Sequence, residues 1–344
     1  MTTPLRLVFL GSDAIARPLL DWLVSDVGRA QVEVVGVFTQ PDRPVGRGQK
    51  ITANEIKTWA LARGLPVFQP EKITDEVRAQ LAALNPDVSL VMAYGHILRD
   101  AFIATPRLGT LNLHTSQLPQ YRGASPIQTA IACGEDLTGV TLMRIVRELD
   151  AGPLADVERV TIEPLDTALD IEAKLAAACV PLVARALPRL AANTLEFTAQ
   201  DHARATFCRR LEKNDGALDF DAPAAVLAAR INGLFPWPTC GCELNGQPVK
   251  IGLAEVAPLA DPALAASSPP RAAPVAPGTV LGADAHGLLV ATGAGVLRLR
   301  RLQRPGGRML PAVEFLRGFP VASGTQIASR PMPALCGPTP FPRR

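Results

Sequence analysis

Short apolar runs alternate with helix-like segments along the first half of the chain. Four runs have the length and continuity of strands buried on both faces, and they span 6–10, 32–38, 87–93 and 110–114. Segments of helical period lie between them, notably 14–24 and 53–63. Strands that alternate with helices predict βαβ units around a parallel sheet, so we expect an α/β fold here.

The pattern changes after a long helical period at 166–191, which we interpret as the end of a first domain (1–194). Residues 195–210 then form a linker, and from 211 to 320 shorter strands separated by Gly-containing turns favour a small β-barrel. These strands lie at 249–256, 278–283, 287–293 and 296–302. We expect the Ala/Pro-rich stretch 258–277 to be a surface insertion. We expect the Pro-rich tail 321–344 to be disordered or to lie on the surface.

Composition narrows the class of protein. The chain has 344 residues, of which 48% are hydrophobic and 19% charged, which is typical of a globular protein of two domains. No apolar run reaches the roughly 18 residues that cross a membrane, and the first residues lead directly into a strand-like run. We therefore expect a cytoplasmic monomer without a membrane partner.

The six cysteines favour reduced thiols rather than a metal site. Only Cys240 and Cys242 are close together, and a C-x-C pair without nearby histidines is poor zinc spacing. We expect no bound metal.

The net charge of +3 conceals an uneven distribution. Residues 1–194 carry 19 Lys and Arg against 21 Asp and Glu, a net charge of −2, whereas residues 195–344 carry 16 against 11, a net charge of +5. Five arginines fall within residues 298–308, which contain no acidic residue. This strip favours either a polyanionic partner or a solvated edge strand that resists aggregation, and the pattern does not separate the two.

Candidate chemistry begins on the strand at 110–114. The two-residue side-chain period puts Asn112 and His114 on one face of that strand, with Leu111 and Leu113 on the other. Ligands of parallel sheets lie beyond the carboxyl ends of the strands, where these two side chains are expected. His114 is also one of only four histidines, so neutral-pH proton chemistry has few possible locations.

A third polar group, Asp150, follows the strand-like run 140–146. Because neighbouring strands of such a sheet end at the same edge, a turn there would bring Asp150 beside His114. An Asp paired with a His favours the protonated imidazole, and a nearby Asn supplies a neutral donor, so the set fits oxyanion stabilisation. No serine or cysteine pairs with the histidine, so the nucleophile would belong to the substrate. The alternative is a core histidine, a turn-forming Asn and a capping Asp.

A longer motif includes these residues. The pattern N-x-H-x-S-x-L-P-x-x-R-G runs from Asn112 to Gly123, and L-D-x-G follows at Leu149 to Gly152. The combination resembles the folate-dependent formyltransferases, which carry a one-carbon unit on 10-formyltetrahydrofolate to an amine. The family resemblance implies Asn112, His114 and Asp150 as the catalytic set.

Other segments resemble the branch of this family that formylates methionyl initiator tRNA. They are 38–50 (FTQPDRPVGRGQK), 64–70 (GLPVFQP), 230–238 (RINGLFPWP) and 246–250 (GQPVK). This branch implies a Rossmann-like domain joined to an OB-like barrel that helps to bind tRNA, with 10-formyltetrahydrofolate and initiator methionyl-tRNA as partners. It implies folate contacts from the loop residues Ser116, Gln117, Leu118 and Pro119. It implies tRNA contacts from the basic residues Arg43, Arg47, Lys50, Arg298, Arg300, Arg301, Arg304 and Arg308.

Three other functions stay open at this point. The chain could formylate another amine, such as that of a nucleotide sugar, or hydrolyse formyltetrahydrofolate with water in place of the amine. A basic RNA-binding module with a degenerate first domain is the non-enzymatic alternative.

Overall fold

The computed structural model describes residues 3–45, 48–258 and 275–342. Its strands are β1 Leu5–Gly11, β2 Val32–Phe38, β3 Arg43–Val45, β4 Lys50–Thr52, β5 Val67–Phe68, β6 Val88–Met92, β7 Thr110–His114, β8 Arg122–Gly123, β9 Leu137–Arg144, β10 Leu154–Thr161, β11 Phe207–Cys208, β12 Cys240–Leu244, β13 Gln247–Val256, β14 Val280–Ala283, β15 Leu288–Ala291, β16 Val296–Gln303, β17 Leu310–Pro311 and β18 Cys336–Gly337. Its α-helices are α1 Arg17–Leu23, α2 Asp26–Arg29, α3 Glu55–Leu61, α4 Asp75–Ala83, α5 Asp100–Ile103, α6 Pro126–Ala132, α7 Ala168–Ala191, α8 Ala224–Gly233 and α9 Ala312–Gly318. Short 3-10 helices span Ala14–Ala16, His202–Arg204 and Lys213–Gly216.

A seven-stranded sheet is the centre of the first half, with the order β10-β9-β7-β6-β1-β2-β5. The pairs of β1 with β2 and β6, of β2 with β5 and of β6 with β7 are parallel, which confirms the predicted parallel-rich, Rossmann-like sheet. The four apolar runs read from the sequence are β1, β2, β6 and β7. The pair of β7 with β9 departs from the prediction, because it is antiparallel.

Burial explains why the sequences of these strands are continuous apolar runs. Every residue of β6 is buried, and β1 and β2 are buried along most of their length. A strand covered on both faces has no solvent side, so the alternation of polar and apolar residues disappears. Among the residues that the structure describes, no helix combines the length and apolar character needed to cross a bilayer.

The described chain divides into two compact units that interleave along the sequence. The first contains residues 1–122, 139–160 and 172–205, and the second contains 123–138, 161–171 and 206–344. The second unit includes α6, which packs against α8. Their close approach needs Gly233, since a Cβ there would lie 2.5 Å from the backbone nitrogen of Ala132.

The second unit is built on a curled antiparallel sheet with the order β12-β13-β16-β15-β14, to which β17 adds beside β16. This sheet confirms the prediction of a small barrel-like domain. Register shifts in the pairs of β13 with β16 and of β14 with β15 bend the strands. The core contains apolar side chains of these strands together with Leu227, Ile231 and Phe315 from the helices.

Most residues of the tail are exposed, and two of its side chains anchor it to the second unit. Ile327 and Leu335 are buried in the core of the second unit, and β18 pairs with β11 in an antiparallel arrangement. Prolines suppressed any periodic pattern in this segment, but isolated apolar side chains between them are enough to anchor it. The predicted insertion at 258–277 lies mostly outside the described residues.

Candidate active site

β7 presents the two residues that the strand period predicts. It lies between β6 and β9, with Asn112 opposite Val91 on one side and His114 opposite Thr141 on the other. Leu111 and Leu113 are each 2% exposed on the opposite face of the strand. His114 is also buried, and Asn112 is half-buried, so the polar face of β7 is partly accessible.

The two ring nitrogens of His114 have different partners. Nε2 lies 2.9 Å from the backbone carbonyl oxygen of Tyr121, and because a carbonyl only accepts, Nε2 carries a hydrogen and donates it. Nδ1 lies 3.8 Å from Oδ2 of Asp150. The imidazole is thus held in one orientation, with Nδ1 facing a carboxylate. This arrangement brings the predicted His114 and Asp150 together.

The route that brings Asp150 to His114 differs from the predicted one. β9 runs antiparallel to β7 and ends at Arg144, opposite Leu111, so the two strands do not end at the same edge. Instead, the segment after β9 turns back, with the amide of Arg144 donating to the carbonyl of Pro153 over 3.0 Å. The predicted proximity of His114 and Asp150 is confirmed, but the predicted parallel direction of the neighbouring strand is wrong.

The Asp150 loop has a tight local geometry. Asp150 itself has a φ of 51°, in the left-handed region that non-glycine residues seldom adopt. Two residues later, a Cβ on Gly152 would lie 1.9 Å from the carbonyl oxygen of Arg144. The glycine of L-D-x-G is therefore required by close backbone contact rather than by catalysis.

Two buried side chains, Gln200 and Arg122, hold this loop, and no sequence motif indicates this role. Nε2 of Gln200 donates to the carbonyls of Asp150 and Gly152 over 2.8 and 2.7 Å. Its Oε1 accepts from Nε and Nη2 of Arg122 at 3.1 and 2.6 Å. Burial lowers the pKa of Arg122, and the charge of Asp150 opposes that shift. Arg122 belongs to the recognised motif, whereas Gln200 lies in the predicted linker without a local sequence signal.

Thr141 on β9 fixes the loop that follows β7. Its hydroxyl donates to the carbonyl of Ser116 over 2.6 Å and accepts from the amide of Leu118 over 3.2 Å. The Ser116 hydroxyl donates to the carbonyl of Gln120, and the Leu118–Pro119 peptide bond is cis. Ser116 and Leu118 are thus buried parts of the loop frame.

The other two loop residues, Gln117 and Pro119, are half-buried and therefore partly accessible. The side-chain oxygen of Gln117 accepts from Nε of Arg159 over 3.3 Å.

The side-chain amide of Asn112 can still donate a hydrogen bond. Within the described part of the chain, the side-chain amide of Asn112 makes no hydrogen bond. A neutral donor that shares a strand face with an imidazole fits a carbonyl oxygen that gains negative charge during reaction. Across residues 3–45, 48–258 and 275–342, no group of His, Cys, Asp and Glu is arranged to hold a metal ion.

Two arginines of β16, Arg298 and Arg300, are bound to carboxylates of the same unit. Arg298 is buried, and its guanidinium binds Glu255 over 3.0 Å and also Asp284. Burial opposes protonation of Arg298, but the bonds to Glu255 and Asp284 prevail and raise its pKa. Arg300 is also bound to Glu255, over 3.0 Å. These ion pairs argue against phosphate binding by Arg298.

Exposed basic side chains lie further along this strand and on the β3–β4 hairpin. On and after β16 they are Arg301, Arg304 and Arg308. Arg43 and Lys50 lie on β3 and β4, which pair with each other, and both are exposed. Arg47 lies outside the described residues.

Comparisons with known proteins agree with this architecture. Residues 5–187 match the family described as formyl transferase, and residues 210–320 match the formyl transferase C-terminal domain. A protein of Ectopseudomonas mendocina named methionyl-tRNA formyltransferase is 42% identical over 311 residues, which cover 90% of this chain and 93% of the relative. A protein of the same name from Ralstonia nicotianae is 39% identical over 341 residues and is covered completely.

Solved structures share the fold at lower identity. An N-formyltransferase of Helicobacter canadensis, in complex with folinic acid and dTDP-3-aminofucose, is 18% identical with a TM-score of 0.59, and the match covers 86% of this chain and 98% of that one. HypX of Aquifex aeolicus with tetrahydrofolic acid is 15% identical with a TM-score of 0.57, and covers 95% of this chain and 51% of that one.

Proposed function

Because the chain belongs to the formyl transferase family, we propose that it transfers the formyl group of 10-formyltetrahydrofolate to the α-amino group of methionyl initiator tRNA. Two matched family regions and relatives about 40% identical over most of the chain support this function. The observation that carries the chemistry is His114, held between the Tyr121 carbonyl and Asp150 and sharing a strand face with the free Asn112 amide.

Each catalytic side chain has a role that follows from its contacts. Asn112 donates to the formyl oxygen, which gains negative charge when the amine attacks. In the imidazolium form of His114 both ring nitrogens donate, Nε2 to Tyr121 and Nδ1 towards Asp150, so the ring adds positive charge beside the same oxygen. Asp150 orients the ring and stabilises that charge.

The bound cosubstrate supplies the formyl group, and the residues present fit it. The half-buried Gln117 and Pro119 form the loop surface, and Asn112 supplies the uncommitted donor. The attacking group needs no activating side chain, since an α-amino group has a pKa near 7.7–8.0 and the neighbouring ester lowers it further. Asp150 or a water molecule accepts the proton that the amine loses.

We assign the tRNA contacts to the exposed basic residues. Arg301, Arg304 and Arg308 on or near β16, and Arg43 and Lys50 on the hairpin, are accessible to phosphate groups. Phosphate contacts of this kind position the nucleic acid without reading its bases. For Arg47, the family resemblance implies a contact with the acceptor end of the tRNA. Arg298 does not belong to this set, because its charge is satisfied inside the fold.

One assay separates this function from the alternatives. Formyl transfer from labelled 10-formyltetrahydrofolate is measured with initiator Met-tRNA, elongator Met-tRNA, an amino sugar nucleotide and no acceptor. We expect label in initiator formyl-Met-tRNA only. Release of labelled formate without acceptor would establish a hydrolase, and label in the sugar would establish a sugar N-formyltransferase. Either result, without tRNA formylation, would overturn the proposal.

A monomeric state and a cytoplasmic location complete this proposal. Sedimentation of the purified chain, alone and with tRNA, tests the first. Cell fractionation tests the second, and a stable dimer or a membrane-associated pool would contradict them.

A further inference from the structure

Three cysteines from distant parts of the sequence meet in the second unit. Cys133 directly follows α6, Cys208 ends β11, and Cys336 begins β18. The antiparallel pairing of β11 with β18 sets Cys208 opposite Cys336. All three are thiols, of which Cys133 is exposed, Cys336 is half-buried and Cys208 is buried.

The thiols of Cys133 and Cys336 are in direct contact through a hydrogen bond. That bond, together with hydrogen bonds from Thr206 and the backbone of Gly337, lowers the pKa of Cys336 to about 6, against the opposing effects of burial and the charge of Glu135. These hydrogen bonds favour the thiolate form of Cys336. A low thiol pKa, access to solvent and an adjacent second thiol together characterise redox-active cysteines.

The cysteines away from this cluster differ in each respect. Cys179, Cys240 and Cys242 are buried, and burial raises the pKa of each thiol to about 12. They stay protonated and shielded, so an oxidant in solution is expected to discriminate strongly against them. Any reaction of the folded chain with a small disulfide is thus directed to the Cys336 site.

We propose that Cys336 and Cys133 are a redox-modifiable pair, in which Cys336 is the attacking thiol and Cys133 the resolving thiol. The oxidant is a low-molecular-mass disulfide such as glutathione disulfide. The Cys336 thiolate attacks one sulfur of that disulfide, forms a mixed disulfide and releases one thiolate. The Cys133 thiol loses its proton to solvent and attacks Sγ of Cys336, which releases the second thiolate. Two protein thiols are oxidised and one small disulfide is reduced to two thiols.

Exposure decides that Cys133, rather than Cys208, resolves the mixed disulfide. Cys208 is only 4% exposed, whereas Cys133 is exposed and its thiol is already in contact with that of Cys336. The product joins the end of α6 to the tail. That tail segment is also held by the burial of Ile327 and Leu335, by the pairing of β18 with β11 and by the stacking of Arg209 on Phe341. Oxidation should therefore add a covalent restraint to the tail, and reduction should remove that restraint.

The test uses the full chain and its single-cysteine variants. Wild type, C133A, C208A and C336A are treated with glutathione disulfide at pH 7, alkylated and mapped by peptide mass spectrometry. We expect a Cys133–Cys336 disulfide in wild type and C208A, a persistent glutathione adduct on Cys336 in C133A, and neither product in C336A. A Cys208–Cys336 disulfide, or unmodified Cys336 in wild type, would overturn the proposal.

Two further measurements can be made on the wild-type chain. The rate at which iodoacetamide alkylates Cys336 should reach half its maximum near pH 6 in wild type and at a higher pH in C133A, which lacks the donated hydrogen bond. Proteolysis after residue 320 should slow several-fold on oxidation and recover with dithiothreitol. Half-maximal alkylation of wild type at the pH of an ordinary cysteine thiol would refute the proposed redox pair. A proteolysis rate that oxidation does not change would refute it as well.

Discussion

Replacing Gln200 by Leu tests whether catalysis depends on the shape of the Asp150 loop. The two side chains are similar in size, so the change removes hydrogen bonds while largely preserving volume. It deletes the bonds to the carbonyls of Asp150 and Gly152 and the acceptor for Arg122. None of these atoms belongs to the proposed reacting groups.

The magnitude follows from the groups that lose a partner. A buried polar group left without a hydrogen bond costs about 1–3 kcal/mol, so two carbonyls in the unchanged loop would cost about 2–6 kcal/mol. Asp150 also keeps a left-handed φ of 51°, and such a conformation costs of the order of 1–3 kcal/mol. Relaxation of the loop removes both penalties, because the freed carbonyls reach water. The loop is therefore expected to move rather than to stay strained.

Movement of the loop takes Asp150 away from His114. We expect the free energy of unfolding to fall by only about 2 kcal/mol, since relaxation recovers the rest. The turnover number should fall about 10²-fold, the lower end of the loss seen when one preorganised group is removed. KM for tRNA should change little, because the exposed arginines are untouched.

The assay compares kcat and KM for formylation with the thermal midpoint of wild type, Q200L, Q200E and Q80L. Q80L makes the same substitution on the exposed surface of α4 and should match wild type. Q200E can still accept from Arg122 but cannot donate to the two carbonyls, so it should lose turnover as Q200L does. Wild-type kcat in Q200E, or a rise in KM with unchanged kcat, would refute the role of Gln200 in positioning the loop.

Three other predictions concern individual residues. His114→Ala should lower kcat by about 10²–10³ with little change in KM for tRNA, and near-wild-type turnover would remove His114 from the mechanism. Gly152→Ala should destabilise the fold by about 1–3 kcal/mol, because its Cβ would collide with the Arg144 carbonyl. Gly48→Ala is the control and should leave the stability unchanged, because a Cβ at Gly48 meets open space. Equal melting curves for the two variants would refute this reasoning. Arg301→Ala should reduce the salt dependence of tRNA binding by about one phosphate contact. Arg298→Ala should lower the thermal stability and leave that salt dependence unchanged, because Arg298 is bound to carboxylates of the fold. The reverse result would make Arg298 the phosphate contact and Arg301 the structural residue.

The strands of the first sheet could be predicted because burial on both faces leaves a direct mark in the sequence. Continuous apolar runs matched β1, β2, β6 and β7, and the two-residue period correctly put Asn112 and His114 on one face. The anchoring of the tail could not be predicted, because its two buried side chains, Ile327 and Leu335, are too isolated to form a pattern.

The sequence by itself determined the local chemistry, namely which side chains share a strand face. Only the tertiary structure decided which distant groups meet. The antiparallel direction of β9, the fold-back of the Asp150 loop and the pairing of Gln200 with Arg122 depend on contacts between residues far apart in the chain. The same holds for the arginine strip, which the sequence presents as one basic run. Packing divides it, because Arg298 binds the half-buried carboxylates of Glu255 and Asp284, while Arg301 is exposed.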